Sequence, residues 1–293
     1  MSEPADALVE NQWCPGCPNF GVLTAVRRAF EALDVPPHRR CLVSGIGQAA
    51  KLPHYLPCNV FNGLHGRAVP AATAIQVANP ELITVVTTGE GDCYGEGGNH
   101  FLHALRRNPN ITLIVHDNRL YALTKGQASP MTPLGERTRL QVLGTESGPL
   151  RPLATAILHD SGFVARGFAG DIDQLTELFS AAISYRGLSI VDVIQPCITW
   201  GQHPVSWYRE RIAAIDDSHD PTDREAALVI AAADQVRLPI GILYRGPERR
   251  CFGDRFRSDR EWGETPLSSI PWATPQEIAA RAESWRVVSL DDG

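Results

Sequence analysis

The stretch from Gly89 to Pro130 constrains the fold of this 293-residue chain more than any other part of it. It begins with a glycine–acid–glycine turn, Gly89-Glu90-Gly91, directly after the apolar run 82–88. A second apolar run, 111–116, leads to Asp117-Asn118. The 26 residues from 92 to 117 leave room for one helix and one strand, which is what a parallel crossover needs. The sequence therefore predicts two polar turns at neighbouring strand ends of a parallel sheet.

Strand-like runs alternate with helical patterns along most of the chain. A helix is predicted over 19–32, with Asn19 as its cap, and another over 171–185, after Gly170. Strands are predicted at 41–45, 82–88, 111–116, 162–167, 188–194 and 239–244. This alternation predicts an α/β fold, a parallel sheet flanked by helices.

Composition narrows the class of protein. The chain is 43% hydrophobic and 20% charged, which suits a globular protein with an ample core. A net charge of −6 disfavours nucleic acid as a partner. No apolar run approaches a membrane span and the N-terminus does not resemble a signal peptide, so we expect a cytoplasmic location. Seven cysteines in that compartment favour metal or redox chemistry over disulfides.

The two polar turns offer ligands for a metal-bound diphosphate. Glycines let phosphates approach the backbone, and carboxylate and amide oxygens suit Mg²⁺. The order glycine–acid–glycine, helix, strand and asparagine has the form of the thiamine diphosphate signature, whose acid is an aspartate. Glu90 and Asn118 are the predicted Mg²⁺ ligands, with the Leu120 carbonyl as a third and Asp92 as the alternative to Glu90. An ordinary pair of strand-end loops remains the other interpretation.

A second candidate site begins at Cys14-Pro-Gly-Cys17, directly before the first predicted helix. The Pro-Gly turn points both sulfurs in the same direction. Taken alone, such a pair is typical of half a zinc site, a redox dithiol or half an iron–sulfur site.

Five motifs in order resemble the β subunits of the 2-oxoacid:ferredoxin oxidoreductases, over roughly residues 10 to 200. They are WCPGCPNFGVL, LVSGIGQAAKLP, HGRAVPAATAIQVANP, GGNHFLHALRRNPNITLIVHDNRLYALTKGQASP and IQPC. The resemblance implies a thiamine-diphosphate-binding fold and coenzyme A-dependent oxidative decarboxylation of a 2-oxoacid, 2-oxoglutarate or pyruvate. It also implies electron transfer through a [4Fe–4S] cluster to ferredoxin. In this family an α subunit supplies the glutamate that activates the cofactor, so we expect (αβ)2 assemblies and no activity from this chain alone.

The resemblance also implies which residues form the site. The cofactor cleft would be lined by Gly47, Gln48, His65, Gly89, Glu90, Gly91, Asp92, Asn118, Leu120, Tyr121, Ala122, Leu123 and Thr124. His65 and Arg67 could meet an anionic substrate or the diphosphate. Lys125 could meet a distal carboxylate or a coenzyme A phosphate, with Leu123 as an apolar wall.

The implied cluster ligands are Cys14, Cys17 and Cys197, and the fourth is a departure from the family. The family has a cysteine where this chain has Gln48, and a neutral amide is a poor ligand compared with thiolate. We expect Cys58 to substitute, because Cys41 should lie at the far end of its strand. A three-cysteine cluster, a labile cluster or no cluster stay open.

Two departures at cofactor positions, Gln48 and Glu90, leave three other functions open. One is a non-redox thiamine diphosphate decarboxylase subunit, the second is a degenerate, non-catalytic paralogue that acts as a scaffold, and the third is a zinc-knuckle binding protein. We expect residues 1–200 to form the cofactor-binding core. Residues 201–293 would form the C-terminal part of the subunit, with an irregular extension beyond 245 that either contacts a partner or is disordered.

Overall fold

The computed structural model describes residues 9–232, 237–257, 265–269, 271 and 273–284. Its helices are α1 (Asn19–Ala32), α2 (Ala68–Ala78), α3 (Gly98–Arg107), α4 (Pro152–Leu158), α5 (Ile172–Ser184), α6 (Val205–Arg209), α7 (Arg224–Ala232), α8 (Asp254–Arg257) and α9 (Pro275–Ser284). Its strands are β1 (Arg40–Ser44), β2 (Asn59–Asn62), β3 (Ile83–Gly89), β4 (Thr112–Asp117), β5 (Leu120–Tyr121), β6 (Gln127–Ala128), β7 (Phe163–Phe168), β8 (Ser189–Ile194), β9 (Ile212–Ala214) and β10 (Leu238–Arg245).

Eight of the described strands form one sheet in the order β2-β1-β3-β4-β8-β7-β10-β9. Neighbouring strands are parallel except β10, which runs antiparallel to β7. The central strands β1, β3, β4, β7 and β8 are almost entirely buried, which is what a sheet covered on both faces requires. Because these strands are parallel, their carboxyl ends meet at one edge, which we call the carboxyl edge.

Alternate side chains of each strand enter two separate cores. Leu113 and Val115 of β4 pack with α2, α3, α4 and α7 on one face. Ile114, between them, packs with α1 and α5 on the other face. This period of two is the expected behaviour of a strand that is buried on both sides.

The structure confirms the predicted α/β architecture and most element boundaries. Each of the six predicted strands is present within one residue at either end, and the helix predicted over 19–32 has these limits. The cap assigned to Asn19 is wrong, because Asn19 lies inside α1 and Pro18 precedes the helix without a side-chain cap. The Asn19 Oδ1 instead contacts Nδ1 of buried His116 at 2.8 Å.

The chain beyond residue 200 contributes strands β9 and β10 to the same sheet. Helix α9 is exposed along the residues whose side chains are described, and the rest of the predicted extension lies partly outside the described residues. No helix in the described part of the chain is both long and apolar enough to cross a membrane.

Candidate functional site

Loops that follow β1, β3, β4 and β8 converge at the carboxyl edge, and small residues allow them to approach one another. Gly45 follows β1, and a side chain there would collide with the Asp92 carboxylate. Gly66 has a φ of +70°, and an added Cβ would meet the backbone of Glu96. Glycine accepts both conditions at little cost. The sequence therefore permits a packing of loops that a larger residue at either position would prevent.

The converging loops enclose a cavity of about 110 Å³, which we call the cofactor cavity. It brings together every residue predicted to line the cofactor cleft: Gly47, Gln48, His65, Gly89, Glu90, Gly91, Asp92, Asn118, Leu120, Tyr121, Ala122, Leu123 and Thr124. Arg67 and Lys125 do not line this cavity. The lining also includes Ile46, Ala49, His116 and Gln195, which the sequence analysis did not predict.

Asp92 ties three loops together through its buried carboxylate. Its Oδ1 accepts hydrogen bonds from the Gly66 amide at 2.7 Å and the Ile46 amide at 3.3 Å. Its Oδ2 accepts one from the Thr88 hydroxyl at 2.6 Å. The His65 Nδ1 lies 2.7 Å from the Oδ1. Both carboxylate oxygens are thus engaged within the protein, which leaves Asp92 poorly suited to bind an additional cation.

Glu90 has a different environment from Asp92. Its side chain is 1% exposed, and its Oε1 has no hydrogen-bond partner among the described residues. Burial raises the pKa of Glu90 well above its usual value, and the neighbouring Asp117 carboxylate raises it further, while a hydrogen bond from Ser129 opposes the change. A buried carboxylate oxygen with an open acceptor position is chemically suited to accept a cation.

The loop after β4 orients Asn118 beside Glu90. Arg119 takes a left-handed φ of +61°, and its amide donates to Asp117 Oδ1 at 3.0 Å. The Asn118 Oδ1 accepts the Leu120 amide at 3.1 Å. Tyr121 then donates its hydroxyl to the Gly91 carbonyl at 3.3 Å, which links this loop to the glycine–acid–glycine turn.

A smaller cavity of about 40 Å³ adjoins the first and is lined by Cys14, Cys17 and Cys197, so we call it the thiol cavity. The Cys17 amide donates to the Cys14 carbonyl at 3.0 Å, which closes the turn between the two thiols. Burial raises the pKa of Cys17, and the nearby Cys197 and Cys14 raise it further, while a backbone hydrogen bond at Asn19 opposes them. The sequence correctly predicted that Cys197 returns to this edge of the sheet.

Hydrogen-bond donors surround the three thiols. The Thr199 hydroxyl lies 3.3 Å from Cys14 Sγ, the Trp200 amide 3.4 Å from Cys197 Sγ, and the Gln195 amide nitrogen 3.8 Å from Cys17 Sγ. Within the described residues, however, no three His, Cys, Asp or Glu side chains are close enough together to hold a single metal ion.

Gln48 lines both cavities, at the position where the resembling family has its fourth cysteine. Its backbone carbonyl accepts the Trp13 indole N–H at 2.8 Å, and its Oε1 is buried with no hydrogen-bond partner in the described part of the chain. The side chain therefore stands next to the thiols with one unsatisfied acceptor.

The structure contradicts Cys58 as the substitute fourth ligand. Cys58 immediately precedes β2, and Asn59 pairs with Cys41 near the start of β1. Both cysteines therefore lie at the amino-terminal ends of parallel strands, across the sheet from the thiol cavity. The segment between Gln48 and Cys58 contains a short 3₁₀ helix, Ala49–Tyr55, and ends at the opposite edge of the sheet. Cys41, Cys93 and Cys251 are buried, as expected of incidental thiols.

Arg67 and Lys125 lie at the rim of the site. The Arg67 guanidinium donates to the carbonyls of His65 at 3.0 Å and Glu96 at 3.4 Å. Lys125 is exposed and has a left-handed φ of +80°. Leu123, at 43% exposure, presents an apolar side chain to solvent within the cavity lining.

Gln195 and His116 are the main site residues that the sequence analysis did not single out. Gln195 belongs to the IQPC motif and follows the end of β8, so its place at a strand end was the available signal. His116 sits inside an apolar strand, where nothing in the local pattern indicates its contact with Asn19, 97 residues away. Burial lowers the pKa of His116 to about 3.

A larger cavity of about 370 Å³ lies between α2 and α3. Val69, Val77 and Phe252 contribute to its apolar lining, and none of the predicted site residues reaches it. The described residues that line it include no acid and no amide side chain, which leaves the carboxyl edge as the candidate functional site.

Comparisons with known proteins agree with this site. Residues 44–193 match the family model described as "Thiamine pyrophosphate enzyme, C-terminal TPP binding domain". Residues 197–260 match the family model for the C-terminal part of the pyruvate ferredoxin oxidoreductase β chain.

Related proteins are similar in sequence to this chain over most of its length. The β subunit of the Saccharolobus solfataricus 2-oxoacid:ferredoxin oxidoreductase is 41% identical over 249 residues, which cover 80% of this chain and 82% of that protein. The β subunit of an Aeropyrum pernix 2-oxoacid:ferredoxin oxidoreductase is 36% identical, covering 84% and 81% respectively. A solved 2-oxoglutarate:ferredoxin oxidoreductase from Magnetococcus marinus, with 2-oxoglutarate, coenzyme A and succinyl-CoA bound, has a chain that superimposes with a TM-score of 0.87. That chain is 32% identical, and 94% of each chain is covered.

Proposed function

Because this chain belongs to the β subunits of the 2-oxoacid:ferredoxin oxidoreductases, we propose that it binds Mg²⁺–thiamine diphosphate in the cofactor cavity. With an α subunit it would carry out coenzyme A-dependent oxidative decarboxylation of a 2-oxoacid and pass electrons through an iron–sulfur cluster to ferredoxin. The observation that carries this proposal is the buried, unpartnered Oε1 of Glu90 beside Asn118 in the cavity. The cofactor, when bound, supplies the electron sink for the loss of CO₂.

The residues present fit a divalent cation and favour Glu90 over Asp92 as its ligand. The two oxygens of Asp92 already accept hydrogen bonds from two loop amides and from Thr88 of β3, whereas Glu90 keeps an open oxygen. Asn118 Oδ1 has a second lone pair beyond its contact with the Leu120 amide, and the Leu120 carbonyl is the third candidate ligand. Asp92 would then hold the shape of the site and not the metal.

The thiol cavity fits a cluster better than a single ion. Each thiolate of a cluster binds a different iron, so cluster ligands lie farther apart than the ligands of one metal ion. Three thiols with hydrogen-bond donors at each sulfur support cluster binding by Cys14, Cys17 and Cys197. Gln48 would occupy the fourth position and leave one iron without a thiolate.

The rim residues would bind and orient the reactants. Arg67 is anchored on backbone carbonyls and adds positive charge at the mouth of the site. Lys125 offers a charge for a 2-oxoacid carboxylate or a coenzyme A phosphate, and Leu123 an apolar wall. The 2-oxoglutarate and coenzyme A bound to the Magnetococcus marinus enzyme support these substrate classes, and pyruvate is the alternative 2-oxoacid.

The family implies partners that this chain would need. We propose an α subunit in an (αβ)2 assembly and ferredoxin as the electron acceptor, in the cytoplasm. The division of the chain near residue 200 into a core and a C-terminal part stays a prediction.

Cofactor binding tests the proposal directly. Glu90→Ala and Asn118→Ala should each weaken thiamine diphosphate binding by about tenfold to a hundredfold, the cost of a lost charge-assisted contact. Glu90→Asp should retain or improve binding, because the shorter acid matches the usual signature. The measurement is cofactor dissociation by calorimetry on the αβ complex, with circular dichroism as the check on folding.

Glu96→Ala is the matched control, since Glu96 is an exposed acid six residues from Glu90. It should bind the cofactor as the wild type does. Wild-type affinity in both Glu90→Ala and Asn118→Ala would refute the assigned site. Anaerobic complex that contains iron and sulfide and reduces a dye only when a 2-oxoacid is added would support the redox activity.

A further inference from the structure

The cofactor cavity and the thiol cavity share a wall. Four residues line both: Gln48, Asn118, Ala122 and Gln195. Gln195 is 3% exposed, and its backbone amide donates to the Asp117 carbonyl at 2.8 Å. That bond extends the pairing of β4 and β8 by one residue past the end of the strand. The side chain of Gln195 therefore starts from a fixed backbone position between the two sites.

The Gln195 amide contacts a residue of each site with a different atom. Its Oε1 accepts from Asn118 Nδ2 at 3.4 Å, and its Nε2 donates to Cys17 Sγ at 3.8 Å. An amide can do both because it carries an acceptor and a donor on one planar group. Both contacts are long, so each can shorten or lengthen without a movement of the backbone.

We propose that Gln195 is a positioning residue that couples the two sites through the link Asn118–Gln195–Cys17. Occupancy of the metal–diphosphate site would then change the reduction potential of the cluster, and the redox state of the cluster would change the affinity for the cofactor. This inference rests on the proposed function, since it takes Asn118 as a metal ligand and Cys17 as a cluster ligand.

The physical basis is polarisation along a hydrogen-bonded chain. When the Asn118 oxygen binds a cation, its amide N–H groups become stronger donors to Gln195 Oε1. The Gln195 amide is polarised in turn and donates more strongly to the Cys17 sulfur. Hydrogen bonds to cluster sulfurs favour the reduced, more negative cluster and raise its potential. By linkage, the reduced protein binds the cofactor more tightly by the same factor.

The test compares redox and binding measurements on the anaerobic αβ holoenzyme. The cluster midpoint potential is titrated under electron paramagnetic resonance, with and without saturating Mg²⁺–thiamine diphosphate. The expected coupling in the wild type is about fivefold, the low end for coupled sites. At about 59 mV per tenfold for a one-electron couple, this is a rise of about 40 mV on loading.

Two variants of Gln195 test its contacts with Asn118 and Cys17. Gln195→Met has a similar length and removes both contacts, so the shift on loading should vanish. Gln195→Glu keeps an acceptor for Asn118 but has no N–H for Cys17 when ionised. It should also lose the shift on loading. Gln76→Met is the matched control, because Gln76 is a buried amide on α2 that lines neither cavity, and it should keep the wild-type shift.

The outcomes distinguish this inference from the proposed function. A wild type that holds cluster and cofactor but shows no shift on loading overturns the coupling alone. A full shift in Gln195→Glu or Gln195→Met assigns the effect to direct electrostatics and overturns the role of Gln195. A wild type without iron or without cofactor overturns the proposed function, and the coupling with it.

Discussion

Two groups of cysteines lie at opposite edges of the same sheet and have different surroundings. Cys14, Cys17 and Cys197 meet at the carboxyl edge, each with a hydrogen-bond donor near its sulfur. The amino ends of the parallel strands meet at the opposite edge, which we call the amino edge. There Cys41 is a buried core residue, and Cys58 donates its thiol to the carbonyls of Leu56 and Pro53.

The difference shows what makes a thiol suited to bind metal. Each carboxyl-edge sulfur accepts a hydrogen bond from a neighbouring donor, whereas the Cys58 thiol donates its proton to carbonyl oxygens. Burial, followed by the nearby Cys41, raises the pKa of Cys58 to about 11, although Arg40 opposes the change. Cysteine count and spacing do not report this distinction, because it depends on which edge of the sheet each residue reaches.

Iron content gives the largest expected contrast between the two edges. Cys197→Ser should remove nearly all cluster iron from the anaerobic αβ complex, because a site with two remaining thiolates cannot hold a cluster. Cys58→Ser, the matched control at the other edge, should leave iron and sulfide at wild-type levels. A loss of iron in Cys58→Ser, or its retention in Cys197→Ser, would show that the cluster is not held at the carboxyl edge.

Gln48→Cys should add a fourth thiol to the three at the carboxyl edge. A fourth thiolate would bind the iron that Gln48 leaves without one, so the cluster should lose iron to a chelator at least about tenfold more slowly than in the wild type, a change of about 1.4 kcal/mol in the barrier. The chelation rate under anaerobic conditions is the measurement. Equal rates of iron loss in the two proteins would mean that Gln48 does not lie next to the iron that lacks a thiolate.

Lys125 tests whether the carboxyl edge also recognises substrate. Lys125→Ala should lower kcat/KM for the 2-oxoacid or for coenzyme A by about ten- to a hundredfold, since a charge-assisted contact is worth about 1.5–3 kcal/mol. Alanine keeps a Cβ, so the left-handed backbone at this position is equally strained in both proteins. Lys51→Ala is the control, because it removes a lysine charge from a different segment, Ala49–Tyr55, where the Nζ donates to the Gln12 carbonyl at 3.5 Å. Unchanged kinetics for both substrates would leave Lys125 as a solvated loop residue.

The smallest expected effect concerns the stability of the amino edge at alkaline pH. The pKa of Cys58 is raised in the folded protein. The neutral Cys58 thiol therefore contributes fully to the free energy of unfolding below its unfolded-state pKa of about 9, and this contribution is lost as the pH rises towards about 11. Partial exposure reduces the loss to about 1 kcal/mol. Urea unfolding at about pH 8 and about pH 10.5 should show a steeper decline for the wild type than for Cys58→Ser. Parallel declines would contradict the raised pKa.

Local sequence patterns predicted the buried strands of the fold. The errors concern Asn19 and Cys58, whose positions depend on residues far away in the sequence. The buried strands were found because their apolar runs are continuous, whereas β2 is exposed along its length and carries no such signal. Asn19 fits the local rule for a helix cap, but its actual partner, His116, lies 97 residues away. The residues predicted to line the cofactor cleft do line one cavity, because strand ends of a parallel sheet share an edge. Cys58 was misplaced because the loop that leads to it does not reveal, in its sequence, to which edge it runs.

The Asp92 carboxylate has a consequence for how binding energy is used. It holds the amides of Ile46 and Gly66 and the hydroxyl of Thr88 from within the protein, so the loops of the site are ordered before any ligand arrives. Ordering flexible loops normally consumes part of the free energy of association. Here that entropy is lost during folding, and the intrinsic affinity of the site is available for discrimination between ligands.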